Sequence, residues 1–207
     1  MNAMYDLVCS VAIGGIVLVM LVGFNGNIVE SASAQTVKVI AQGNLSTVTS
    51  ILENEFSKMG YRVFGAADSS IIYADSNKIK FIGDFGDQGK VDTVVYSFNP
   101  TKLSGHSNLN TRILTRTFTP QGSSPTTETI NLGITRFRLW YYKTRDTALV
   151  TNPVSLPSQI KCLKVALNVE STVPYKEQST MKRNKVSYLK LNPGVFWERL
   201  IKPKNLR

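Results

Sequence analysis

The chain has 207 residues, enough for one domain with a sizeable core or for two small ones. With 9% aromatic and 18% charged residues it is neither a disordered nor a low-complexity chain, and two cysteines are too few for a disulfide-built fold. The formal net charge of +10 is weighted toward the C-terminus; such a field can attract nucleic acid, anionic lipid or acidic polysaccharide, although an excess of this kind is more often a solvated basic surface.

The first element is an uncharged apolar run, Leu7–Phe24, directly after a lone carboxylate, Asp6. Its 18 residues, as helix, span roughly 27 Å, close to the hydrocarbon thickness of a bilayer. A carboxylate at the edge of such a segment is costly, which makes Asp6 a functional candidate. Ala32-Ser33-Ala34 offers a signal-cleavage signature. However, no Lys or Arg stands before Leu7, and the apolar run is longer than a usual signal core, so the segment is expected to be retained. Gly14, Gly15 and Gly23 would allow close approach of a second helix, without the spacing that specifies a dimer.

Beyond the run, Val37, Ala41, Leu45, Val48, Leu52, Phe56 and Met59 recur at steps of three and four, which places them on one stripe of a helix. Gly60 then ends the pattern as a C-terminal glycine does. The spacing predicts one helix from about Met4 to about Gly60, with Gly23-Phe24-Asn25-Gly26-Asn27 as its weak joint, where a break is expected if there is one. Residues 1–61 form the expected spine, with 7–24 as its membrane or filament-core segment, and residues 62–207 the expected globular head.

From Tyr61 the periodicity changes to two and β-branched residues dominate. Strands are expected at Ser70–Ala74, Lys78–Asp84, Thr93–Asn99, Thr111–Thr119, Thr135–Lys143, Ile160–Ser171 and Lys185–Leu191. Loops are expected at Asp84–Lys90, Asn99–Asn110, Pro120–Thr127 and Thr151–Ser158, which are rich in Asn, Gly, Ser and Pro. A long N-terminal helix followed by antiparallel strands is an α+β arrangement, in which the helix stripe must pack on one sheet face.

Chemistry-bearing clusters are few. Asp84, Asp87 and Asp92 surround Gly86 and Gly89 and could supply oxygens to Ca²⁺, but a calcium loop starting at Asp84 would have no side-chain oxygen at its third position, Gly86, and only a neutral amide at its fifth, Gln88. A polar hairpin turn is the favoured reading, and no cofactor is otherwise implied. Cys9 sits within the apolar run and Cys162 in a distant strand, so an intrachain disulfide is not expected. His106 is the single histidine, in a Ser/Asn-rich loop, which disfavours haem attachment, a zinc site and Ser/His/Asp catalysis. Trp140 and Tyr142 share one strand face and Tyr141 the other, a pattern of core and surface rather than a base-stacking platform. Lys182, Arg183, Lys185, Lys202 and Lys204 are the candidate polyanion surface.

Taken together, these residues resemble type IV pilin-like proteins, in particular W-type minor pilins and J-type pseudopilins. The run Ala12–Phe24 resembles the hydrophobic helix of that family. Ile51–Tyr61 resembles the end of the W-type helix, Gly83–Asp92 followed by Val94-Val95-Tyr96 its hairpin, Gly133–Tyr142 a late strand, and Pro203-Lys204-Asn205-Leu206 its ending. The resemblance implies that Asp6 is the family carboxylate at the fifth position if Asn2 is the first mature residue. It also implies a structural subunit of a type IV pilus-like or pseudopilus filament, assembled with copies of itself or other pilin-like subunits. Such a subunit would sit in the cytoplasmic membrane before assembly and in an extracellular or periplasmic filament after it. The alternative is a single-span, membrane-anchored envelope protein whose basic head binds a polyanion, such as nucleic acid, or a protein partner without polymerising. No enzymatic activity is expected on either reading.

Overall fold

The computed structural model describes residues 2–63, 70–101, 108–144, 147–149, 152–172, 175–182, 185–203 and 205–206; for Asn2, 175–182 and 185–191 it describes the backbone alone. The chain begins with one uninterrupted helix, α1 (Asn2–Ser57). The joint at Gly23–Asn27 does not break in the single chain. A glycine costs a helix roughly 1 kcal/mol, too little to open a ladder that continues for many turns on both sides. Gly60 closes the helix end at φ 71°, a left-handed conformation that suits glycine, and its N–H donates to the Ile82 carbonyl at 2.9 Å.

The strands are β1 (Ile71–Ala74), β2 (Lys78–Gly83), β3 (Asp92–Asn99), β4 (Ile113–Thr119), β5 (Thr126–Ile130), β6 (Ile134–Thr144), β7 (Thr147–Leu149), β8 (Cys162–Glu170), β9 (Tyr175–Lys182), β10 (Lys185–Leu191) and β11 (Gly194–Ile201). They form a five-stranded sheet β1-β2-β3-β4-β5, a four-stranded sheet β11-β8-β6-β7 and a two-stranded hairpin β10-β9, all antiparallel. The α+β class expected from the sequence is the one observed: a long N-terminal helix, apolar and then amphipathic, packed on an antiparallel β-rich head.

Strands β5, β7, β9 and β11 escape the sequence pattern. β5 (TTETI) is exposed along most of its length and has no apolar alternation to betray it, and its first residues fall inside the expected loop Pro120–Thr127. β11 (GVFWERLI) is an edge strand with mixed exposure, and it starts directly after Pro193. It is held by a full ladder to β8, from Gly194 opposite Glu170 to Ile201 opposite Leu163.

The core lies between the C-terminal half of α1 and both larger sheets. All seven stripe residues, Val37, Ala41, Leu45, Val48, Leu52, Phe56 and Met59, are buried. Phe56 meets Phe81 of β2 and Tyr96 of β3 edge-to-face, with ring centroids 5.6 and 5.5 Å away, a favoured aromatic geometry. Leu139, Leu163, Val165 and Leu167 bring the second sheet into the same cluster. Backbone bonds join the sheets as well: Leu139 N–H donates to the Ser76 carbonyl at 2.9 Å and Arg112 N–H to the Ile134 carbonyl at 2.8 Å. One helix face therefore closes one continuous core.

Candidate assembly interface

The two halves of α1 have opposite environments. Every described side chain from Ala3 to Val29 is exposed, including all of Leu7–Phe24, and an 18-residue stretch of mean hydropathy 2.7 has no buried part. Among the described residues no segment of this chain covers it. A helix that is apolar all round must be surrounded, by lipid or by other helices. At Gly14, Gly15 and Gly23 a side-chain carbon would meet nothing within 4 Å, so all three are open to a neighbouring helix.

Asp6 lies on this bare segment and is exposed. The Ser10 hydroxyl donates to its backbone carbonyl, and among the described residues no cation pairs with its carboxylate. The helix starts at Asn2 and has no acid in its first turn. Asp6 thus stands beyond the reach of the strongest helix-end field, which falls off within that turn.

The half of α1 that belongs to the head is held by charge as well as by apolar burial. The Glu55 carboxylate reaches into the first sheet, where the Tyr96 hydroxyl donates to Oε2 at 2.6 Å and Arg116 Nε to Oε1 at 2.8 Å. Arg116 also lies against Glu128 of β5 at 3.3 Å. On the other side Arg199 of β11 pairs with Glu53. Burial pushes the Tyr96 hydroxyl far above its usual range, with the Glu55 charge adding to the effect. Burial works against the Arg116 charge, yet the hydrogen bond and charge of Glu55 more than offset it, so its pKa is raised. Glu55 and Glu53, two residues apart on the helix, thus tie it to two sheets, a relation that nothing in their sequence spacing announces.

The carboxylates of the 84–92 loop do not converge. Asp84 is fully buried; its oxygens accept from the N–H groups of Gln88 at 3.0 Å and Gly89 at 2.8 Å. Asp92 accepts from the N–H groups of Phe85 at 3.3 Å and Gln121 at 3.2 Å. Asp87 faces Arg62 at 3.5 Å. Among the described residues no three acidic, histidine or cysteine side chains gather as a metal would require. The aspartates shape the β2–β3 hairpin by taking up backbone donors that a tight loop leaves free.

Of the candidate polyanion residues, Arg183 and Lys204 lie outside the described residues, as does His106, and Lys182 and Lys185 are described only as backbone positions of the β9–β10 hairpin. Lys202 is placed at the end of the second sheet, where it lines one cavity with Lys143 and Lys161, residues far from it in sequence. In the aromatic run Tyr141 is buried, with its hydroxyl donating to the Asp75 carbonyl at 2.8 Å, while Trp140 is half-buried under the Lys164 ammonium at 5.2 Å. Both cysteines are free.

No protein-family model and no curated protein sequence matches the chain. Among solved structures, it is similar to a type IV-like pilin from Thermus thermophilus, with a TM-score of 0.47 and 17% sequence identity over 80% of this chain and 97% of that one.

Proposed function

We propose that this protein is a pilin-like structural subunit that assembles into a type IV pilus-like or pseudopilus filament through the bare half of α1. The observation that carries this reading is the division of a single helix: the 37–59 stripe is sealed in the head, while the 7–24 segment is exposed on every side. Such a segment is at home in a bilayer before assembly and among copies of itself afterwards. Gly14, Gly15 and Gly23 permit close helix contact, and Asp6 pairs with a positive group of a neighbouring subunit, such as its N-terminal amine. Leaving one member of such a pair alone in an apolar setting costs several kcal/mol, so the pair sets register more than it adds stability. The role is structural rather than enzymatic.

Electron microscopy of purified assembled material tests the reading: filaments of regular helical rise are expected, and dispersed single-span protein would favour the anchored alternative. Asp6→Asn is expected to leave the head folded, because Asp6 touches none of its core, and to impair assembly. Wild-type amounts of assembled protein from that variant would remove Asp6 from the mechanism.

A further inference from the structure

Where β6 ends, β8 begins and β11 leaves the second sheet, a cavity of about 580 Å³ opens, lined by Lys143, Thr144, Lys161, Cys162, Leu200, Lys202 and Leu206. Its size falls in the range of small-molecule sites, roughly 300–1,000 Å³. Two features define what it would hold. The walls are chiefly carbon and sulfur: Leu200, Leu206, the Cys162 thiol and the methylene stems of the lysines, which can lie along apolar surface with their charges turned to water. The Cys162 side chain is buried and its thiol pKa is raised by that burial, with Lys202 pulling the other way, so this wall is a neutral one. Lys143, Lys161 and Lys202 bring three positive charges to its lining, and among the described residues no carboxylate lines the cavity. Among the described residues none of the three lysines is in an ion pair, whereas the nearby Lys164 and Arg199 are matched with Glu198 and Glu53.

The lysines are gathered by strand pairing. Lys161 N–H donates to the Tyr142 carbonyl at 2.9 Å, which sets Lys161 beside the end of β6, and Lys202 follows Ile201, the partner of Leu163. Three like charges with no ion-pair partner among the described residues repel one another where they line one cavity, and an anion in their midst relieves that repulsion. A purely inorganic anion would leave the apolar floor unused, and an uncharged lipid would leave the rim uncompensated.

We propose that this cavity binds a single-chain anionic amphiphile, with its acidic head among Lys143, Lys161 and Lys202 and its hydrocarbon tail against Cys162, Leu200 and Leu206. The site is separate from the bare helix, and its occupancy does not depend on filament assembly.

The test uses the full chain in phosphatidylcholine nanodiscs, titrated calorimetrically with octyl phosphate below its micelle-forming concentration and corrected against empty nanodiscs. Saturable binding of one octyl phosphate per chain is expected, at least tenfold tighter than that of inorganic phosphate, because each buried methylene adds about 0.8 kcal/mol. 1-Octanol, which lacks the charge, is expected to bind at least tenfold more weakly than octyl phosphate. The triple variant K143Q/K161Q/K202Q is expected to weaken octyl phosphate binding roughly tenfold, the combined effect of three part-exposed charge contacts. Should that variant lose its β-sheet circular dichroism, Lys202→Glu alone, at an exposed position, is expected to weaken binding as much. Absence of saturable binding, equal affinity for inorganic phosphate, equal affinity for octanol, or undiminished affinity in the folded lysine variants would each overturn the proposal.

Discussion

Glu55 occupies a helix position where its neighbours Leu52, Phe56 and Met59 are all buried, and Arg116 and Tyr96 supply donors to both of its oxygens. Removing one member strands the others in a part-buried site. Glu55→Ala is therefore expected to destabilise the head by about 2–4 kcal/mol, read as a shift of the urea unfolding midpoint. Tyr96 adds a pH dependence. Its folded-state pKa is raised, by burial first and then by the Glu55 charge, and the unfolded chain releases the same proton near pH 10. The folded state thus holds more protons in alkali. The stability tied to Tyr96 is complete below about pH 10 and is lost as pH rises above it. Tyr96→Phe should flatten that alkaline decline relative to wild type, and a decline of unchanged slope would assign it elsewhere. Tyr141, pushed up by its own burial and by the Asp75 charge, keeps part of the slope in that variant. None of this clamp was legible in the sequence. Residues 55, 96 and 116 have no common spacing, and only the pairing of β3 with β4, which sets Tyr96 opposite Arg116, brings two of them side by side.

At the scale of elements, the helix was the most legible part of the chain. A stripe from Val37 to Met59 at steps of three and four leaves one buried face, and that is the face the head buries. The strands with strong alternation, such as β3 (DTVVYSFN), could be read to within a residue or two. β5, β9 and β11 could not, because an edge strand or a strand of a two-stranded hairpin takes its stability from ladder bonds to a neighbour rather than from a buried alternating face. The separation of the two helix halves makes a paired prediction. Leu52→Ala opens a cavity in the core and is expected to cost the head about 2–5 kcal/mol. Leu18 is exposed and lies outside the core, so in Leu18→Ala head stability should stay within about 0.5 kcal/mol while assembly or membrane retention weakens. Chemical denaturation of the two variants, with sedimentation of the assembled fraction, checks both halves. A loss of head stability in the Leu18 variant would mean that the bare segment folds back on the head.

For the molecule as a whole, the apolar run and its lone acid made the bare segment of the helix legible at once, since they need no partner in the chain to be recognised. The cavity rimmed by Lys143, Lys161 and Lys202 was hidden, because its lysines meet only when β6, β8 and β11 pair. The central claim is that cohesion between subunits resides in the exposed half of α1 and cohesion within a subunit in the sealed half. The most direct measurement is the assembly state of a chain lacking residues 1–27, followed by analytical ultracentrifugation, circular dichroism and electron microscopy beside the full chain. The truncated protein is expected to be soluble and monomeric with its β signal intact, while the full chain assembles. Ordered filaments formed by the truncated protein would place the contacts between heads and contradict the account.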